Sequence, residues 1–143
     1  MRHLALLFTL PIFCLLCITC APPAPNRTLS GQWQLIRYEN RYTGWYEDEP
    51  DHIARGIVIT FSDKGGRGKF DGETVTNYIS GKYTIASADS VTFRDISGSL
   101  RGEPVWGERF WTALDVVTAY GRSEDLLYLD YQGDTMRMTF ERR

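Results

Sequence analysis

Pro104-Val105-Trp106-Gly107-Glu108-Arg109-Phe110-Trp111-Thr112-Ala113-Leu114 is the one stretch of the mature chain with helical periodicity. Trp106, Phe110 and Leu114 recur at i, i+4 and i+8, and residues so spaced line one face of a helix of about three turns. Trp111 stands beside that stripe, and the spacing assigns both Trp106 and Trp111 to the core. Everything flanking this segment reads as strand. Downstream, Val116 to Tyr120 is followed by two alternating runs, Leu127, Leu129, Tyr131 and Met136, Met138, Phe140, with Gln132-Gly133-Asp134 turning between them. Upstream, Leu29 to Tyr38 places Trp33 and Leu35 on one side and Gln32 and Gln34 on the other, as period-2 patterning requires. Gly56 to Phe61 is a strongly β-branched strand. Ser62 to Gly68 reads as a turn, and Lys69-Phe70 begins the return strand of a hairpin. Val75 to Ile85 carries a further strand with Gly81 as a bulge or close-packing point, and Ser90 to Phe93 a short one ended by Arg94-Asp95. Asn40 to His52 reads as a polar, aromatic and acidic loop. The expected fold is α+β, predominantly antiparallel β, with one helix laid against a barrel-like sheet.

The start of the chain gives an address. Arg2 precedes an apolar run from Leu4 to Ile18, which ends at Cys20 and opens onto Ala21-Pro22-Pro23-Ala24-Pro25. A spanning helix needs about 20 apolar residues; this run is shorter and carries Pro11, so it reads as a secretory signal. All three cysteines, Cys14, Cys17 and Cys20, lie within it. Cleavage before Cys20 would leave a single thiol at the very N-terminus, which lipidation of Cys20 explains. The chain therefore divides into a lipoprotein signal at 1–19, a Pro-rich tether at 20–28 and one β-rich domain at 29–143. Such a tether stays extended at about 3.1 Å per residue. The layout resembles a bacterial lipoprotein signal, and the resemblance implies a lipid-anchored location in the bacterial cell envelope, with Ala21 after the cysteine implying the outer membrane facing the periplasm.

The ordered set of strand and joint residues resembles the META domain of HslJ-type envelope proteins. The matching pieces are Leu29, Gly31, Trp33 and Leu35; Ile59-Thr60-Phe61 with the turn after it; Asn77-Tyr78-Ile79-Ser80-Gly81-Lys82-Tyr83; a helix before Val117-Thr118-Ala119-Tyr120; and the closing Phe140-Glu141-Arg142. The likeness covers Leu29 to Arg143. Thr76 stands where that family often has cysteine, and Ile96 to Pro104 replaces the stretch the family carries after its equivalent of Phe93. The resemblance implies a non-catalytic accessory domain that binds a protein partner or small ligand in the envelope. A second resemblance is to lipocalin-like barrels, which also open on Gly-x-Trp and pack a late arginine, here Arg142 or Arg143, on that tryptophan. It implies a small-molecule carrier with an apolar cavity.

Chemistry-bearing motifs are sparse. The chain of 143 residues holds 16 basic and 18 acidic residues for a net charge of −2, and no basic stripe stands out along it, so nucleic acid is not an expected partner. His52 has no nucleophile turn near it and is expected as a solvated loop residue. Glu47-Asp48-Glu49-Pro50-Asp51 lacks the alternating spacing of a calcium loop; a carboxylate-dependent hydrolase built on it is the weakest alternative. Gly65-Gly66-Arg67-Gly68-Lys69 joins two strands and offers Phe70 where a phosphate loop needs Ser or Thr. No catalytic residue, metal or cofactor is expected. Tyr42, Trp45 and Tyr46 form the candidate binding loop, since large aromatics on loops serve as recognition anchors; packing down over a barrel end is the other reading of the same residues.

Overall fold

The computed structural model describes residues 28–87, 89–99 and 101–143. The signal at 1–19, the lipidation site Cys20 and the tether up to residue 27 lie outside the described residues. The strands are β1 (Gly31–Asn40), β2 (Tyr46–Asp48), β3 (Val58–Lys64), β4 (Arg67–Glu73), β5 (Tyr78–Ile85), β6 (Val91–Gly98), β7 (Val117–Arg122), β8 (Leu126–Tyr131) and β9 (Met136–Arg142), with helix α1 (Val105–Leu114) between β6 and β7. One antiparallel sheet runs in the order β6-β5-β4-β3-β1-β9-β8-β7, and β2 pairs with β1 off that path. Its two ends approach each other where Ser90 bridges Ala119 and Tyr120 N–H donates to the Asp89 carbonyl at 2.7 Å. The sheet thus nearly closes into a barrel, with α1 over one end. The α+β, barrel-like architecture expected from the sequence is the one observed.

The inward-facing residues are those the alternation selects. Trp33, Leu35, Ile59, Phe70, Tyr83, Leu127, Leu129, Met138 and Phe140 are all buried. A bulge between Leu35 and Arg37 resets the alternation of β1, so that Tyr38 also turns inward. There its hydroxyl donates to the Trp106 carbonyl at 3.0 Å, and its ring meets the Trp106 indole edge-on at 4.5 Å. The helix is held to the barrel by that pair and by Phe110 against Phe140. At the barrel's middle Phe61, Phe70, Tyr83 and Phe93 interlock, their ring centroids 5.4–6.0 Å apart.

Several local expectations are corrected. Only Gly65-Gly66 forms the β3–β4 turn, both with positive φ; that is the type I′ geometry whose twist matches the flanking strands, and so the ladder runs on through Ser62–Lys64 and Arg67–Gly68. Gly81 is a close-packing point: a Cβ there would come within 2.6 Å of the Phe70 ring. The bulge opposite it lies on β6, where Asp95 takes φ 54° and the strand continues to Gly98. The supposed loop at 40–52 contains β2, because Tyr46, Glu47 and Asp48 pair with Glu39, Tyr38 and Arg37. Trp111 is only half-buried.

The two ends of the barrel differ. At one, Thr28 and Leu29 enter beside the β3–β4 turn. At the other lie the β1–β2 turn, the β4–β5 turn, α1 and the β8–β9 turn. This second end is here called the capped pole.

Candidate functional site

The β1–β2 hairpin rises at the capped pole. Asn40 builds its turn: the Oδ1 atom accepts the N–H groups of Tyr42 and Thr43 at 3.0 and 2.9 Å, while Asn40 N–H donates to the Trp45 carbonyl at 2.7 Å. Such Asx capping is why a short polar segment folds back without a hydrophobic core of its own. The turn presents Tyr42, Trp45 and Tyr46 to solvent, 78, 45 and 58% exposed. The three candidate residues are therefore brought together, and they do not pack down over the barrel end.

Cations brace this display. The Arg37 guanidinium lies 4.5 Å from the Tyr46 ring centroid and donates to Asp48 at 2.6 Å. Arg109, from α1, donates to Glu47 at 2.6 Å and stands 4.9 Å from the Tyr38 ring and 5.6 Å from the Trp45 ring. Stacking of this kind contributes about 0.5–1 kcal/mol at exposed sites. On the flank, Arg137 donates twice to the buried Asp130, at 2.6 and 2.9 Å, and Arg41 joins that carboxylate at 3.2 Å. A hollow of about 320 Å³ lies among Glu39, Asn40, Arg41, Trp45, Tyr46 and Arg137. None of these bracing residues carries a sequence signature, because each acts across a strand pair or from the helix.

The acidic stretch beside the hairpin is divided among separate partners. Glu47 faces Arg109, Asp48 faces Arg37, Glu49 accepts from Gln34 Nε2 at 2.6 Å, and Asp51 is exposed. His52 is exposed, as expected for a loop histidine. Among the described residues no three His, Cys, Asp or Glu side chains are grouped to hold a metal ion.

A second polar cluster was not legible in the sequence. Glu103 precedes α1 and accepts hydrogen bonds from the Thr74 hydroxyl, Asn77 Nδ2 at 2.7 Å, Thr76 N–H at 3.2 Å and Trp111 Nε1 at 3.4 Å. Burial alone would raise its pKa, but the bonds from Thr74, Asn77, Trp111 and Thr76 outweigh it and hold the carboxyl below its ordinary value. Asn77, itself buried, also donates to the Arg101 carbonyl at 2.8 Å and accepts Arg101 N–H at 2.7 Å. The cluster fastens the β6–α1 connection to the β4–β5 turn. A hollow of about 460 Å³ opens above it, lined by Ser99, Arg101, Glu108, Trp111 and Thr112. With every Glu103 oxygen engaged, the carboxylate acts as a structural acceptor.

At the opposite end Trp33 is enclosed by two guanidinium groups, Arg142 at 4.6 Å and Arg122 at 5.2 Å from its ring. Its indole N–H donates to the Leu29 carbonyl at 2.8 Å. The arginine-on-tryptophan contact anticipated for Arg142 is thus present; Arg143 instead donates to Gln34.

No protein-family model matches this chain, and no curated protein matches it. Solved structures do. A solution structure of a Burkholderia xenovorans protein is similar with a TM-score of 0.64 at 19% identity, over 86% of this chain and 92% of that one. A crystal structure of a DUF4847 family protein from Bacteroides vulgatus is similar with a TM-score of 0.61 at 18% identity, over 80% of this chain and 93% of that one. These likenesses are of fold. Among the described residues no helix is long and apolar enough to cross a membrane.

Proposed function

We propose that this chain is a META-like, non-catalytic accessory domain of the bacterial envelope, anchored in the outer membrane by lipid on Cys20, that binds an envelope partner through Tyr42, Trp45 and Tyr46. One observation carries the reading. Among the described residues the exposed large apolar side chains are Tyr42, Trp45, Tyr46, Tyr78, Val105 and Val116, and all six sit at the capped pole, away from the entry of the tether. A monomer with no partner has no reason to gather its exposed aromatics at one end. Large aromatics held rigid by flanking cations are also the residues that dominate binding interfaces.

Two other readings receive less support. The contact of Arg142 with Trp33 favours a lipocalin-like carrier, but the interlocked Phe61, Phe70, Tyr83 and Phe93 rings occupy the space such a ligand would need. A hydrolase would need convergent carboxylates, whereas Glu47, Asp48 and Glu49 each turn to a different partner.

The test is photo-crosslinking in a growing bacterium, using the full-length chain with a photoreactive residue at position 42 or 46, or at Asp125 near the tether entry. A discrete adduct from the hairpin positions and none from 125 is the expected result. The same ladder from all three positions, or no adduct, would overturn the binding role. The intact mass of the same preparation reads the anchor separately: residues 20–143 plus acyl groups, lost in Cys20→Ala.

A further inference from the structure

The flank formed by β3, β4, β5 and β6 carries charges that a sheet built only for stability would avoid. In register, Lys64 stands opposite Arg67, Lys69 opposite Lys82, and Lys82 opposite Arg94. All five are exposed. Like charges directly opposite one another destabilise a strand pair, and here three such pairs follow in succession. Only Lys82 is paired with a carboxylate, Asp95 at 2.8 Å; Asp71 is the other exposed acid near the row. The sequence shows no basic stripe because the five residues are spread over four strands. The register assembles one.

The place of this patch matters as much as its charge. Thr28, the last residue of the tether, donates its hydroxyl to Asp63 Oδ2 at 2.9 Å, and Leu29 N–H donates to the same oxygen at 2.9 Å. Asp63 N–H returns a bond to Ser30 Oγ at 3.1 Å. Asp63 is the neighbour of Lys64 at the root of the β3–β4 turn, so the chain enters the barrel beside the basic flank. A Pro-rich tether of the length expected at 20–28 would, at about 3.1 Å per residue, reach about 25 Å, enough to let a barrel of this size lie against the bilayer that would hold its lipid.

We propose that Lys64, Arg67, Lys69, Lys82 and Arg94 form a docking face for anionic phospholipid headgroups, on which the anchored barrel rests with its aromatic hairpin turned away. This rests on the lipid-anchored reading above. Each cation at an anionic surface contributes about 1 kcal/mol, roughly fivefold in population, and the attraction fades within a Debye length of about 10 Å at 0.1 M salt. The like-charge pairs, a cost in the isolated domain, are relieved when phosphate oxygens approach.

The experiment uses the acylated mature chain in vesicles. Ser62→Cys on the basic flank, or Tyr42→Cys at the capped pole, carries a fluorophore, and headgroup-spin-labelled lipid quenches whichever label lies close. With phosphatidylglycerol present the label at 62 should be quenched and the label at 42 spared. The quench at 62 should vanish at high salt, on phosphatidylcholine alone, and in K64E/R67E/K69E, whose three reversals shift the docked population by on the order of 100-fold or more. K64Q/R67Q/K69Q, with circular dichroism as a fold control, should show an intermediate loss. Equal quenching on phosphatidylcholine alone, or quenching indifferent to salt or to the substitutions, would overturn the proposal. A chain that does not float with the vesicles refutes the anchor and not the patch. The same labels are then read with a hexahistidine tag in place of Cys20 on nickel-chelating lipid.

Discussion

At Glu103 one carboxylate decides how two distant segments meet. Four donors converge on it, and the strongest of them come from Thr74 and Asn77, which are buried. A hydrogen bond to a charged group is worth about 1.5–3 kcal/mol, and an orphaned buried donor costs a further 1–3. Glu103→Gln should therefore destabilise the domain by about 2–3 kcal/mol in urea unfolding, since the charge is lost and an amide oxygen that keeps the bonds at Oε1 turns its NH2 group against Thr76 N–H. The pH dependence has a definite sign. The folded-state pKa lies below its unfolded value of 4.5, so this stability is present above that value and is lost as pH falls through the folded pKa. Asp63 behaves alike: burial acts to raise it, but bonds from Tyr83, Thr28, Leu29 and Ser30 bring it below 3.8. The urea midpoint of the native chain should drop on acidification below about pH 4.5, and less so for Glu103→Gln. A midpoint flat to pH 3 would refute this account. None of it was legible in the sequence, where Glu103 is one acid among many in an irregular segment.

The β1–β2 hairpin shows how a short element is sustained by its neighbours. A three-residue strand pairing on one side is marginal by itself, and its polar, breaker-containing sequence reads as a loop. What holds it is the reach of Arg109 from α1 to Glu47, Trp45 and Tyr38. Arg109→Ala should cost about 1 kcal/mol of global stability, because the ion pair is partly exposed. Its larger effect should be local: faster hydrogen exchange at Glu47 and Glu49, whose N–H groups the register turns toward β1, than at β9, with weaker crosslinking from position 42. Unchanged exchange in the hairpin would show that Arg109 does not brace it. The helix was the opposite case. Its stripe of Trp106, Phe110 and Leu114 was plain in the sequence, because side chains four apart share a face whatever the surroundings. The same spacing assigns Trp111 to the core, and there the outcome is partial: Trp111 packs against the core but stays half-buried at the edge of the stripe, beside Gly98 and Glu103.

For the whole molecule, closure depends on pairing the two ends of the chain. β9 lies between β1 and β8, with Trp33 opposite Arg142 and Leu35 opposite Phe140. Deleting residues 136–143 removes a central strand and exposes both neighbours, so the truncated chain should lose its cooperative unfolding transition; a truncated protein with native circular dichroism would contradict that. The same long-range pairing implies folding on the millisecond-to-second scale typical of non-local β topologies. The sequence by itself determined every strand but β2, a turn within Ser62 to Gly68, the single helix and the inward set from Trp33 to Phe140, because covalent geometry fixes periods of two and 3.6 along any segment; that β2 pairs at all, and that the turn narrows to Gly65-Gly66, came from the ladder. Only the tertiary structure decided the β1 bulge that turns Tyr38 inward, the Glu103 cluster, the bracing of the aromatic hairpin and the basic row from Lys64 to Arg94. Those features join residues far apart in the chain, and register, set by the closing of the whole barrel, is what makes them neighbours.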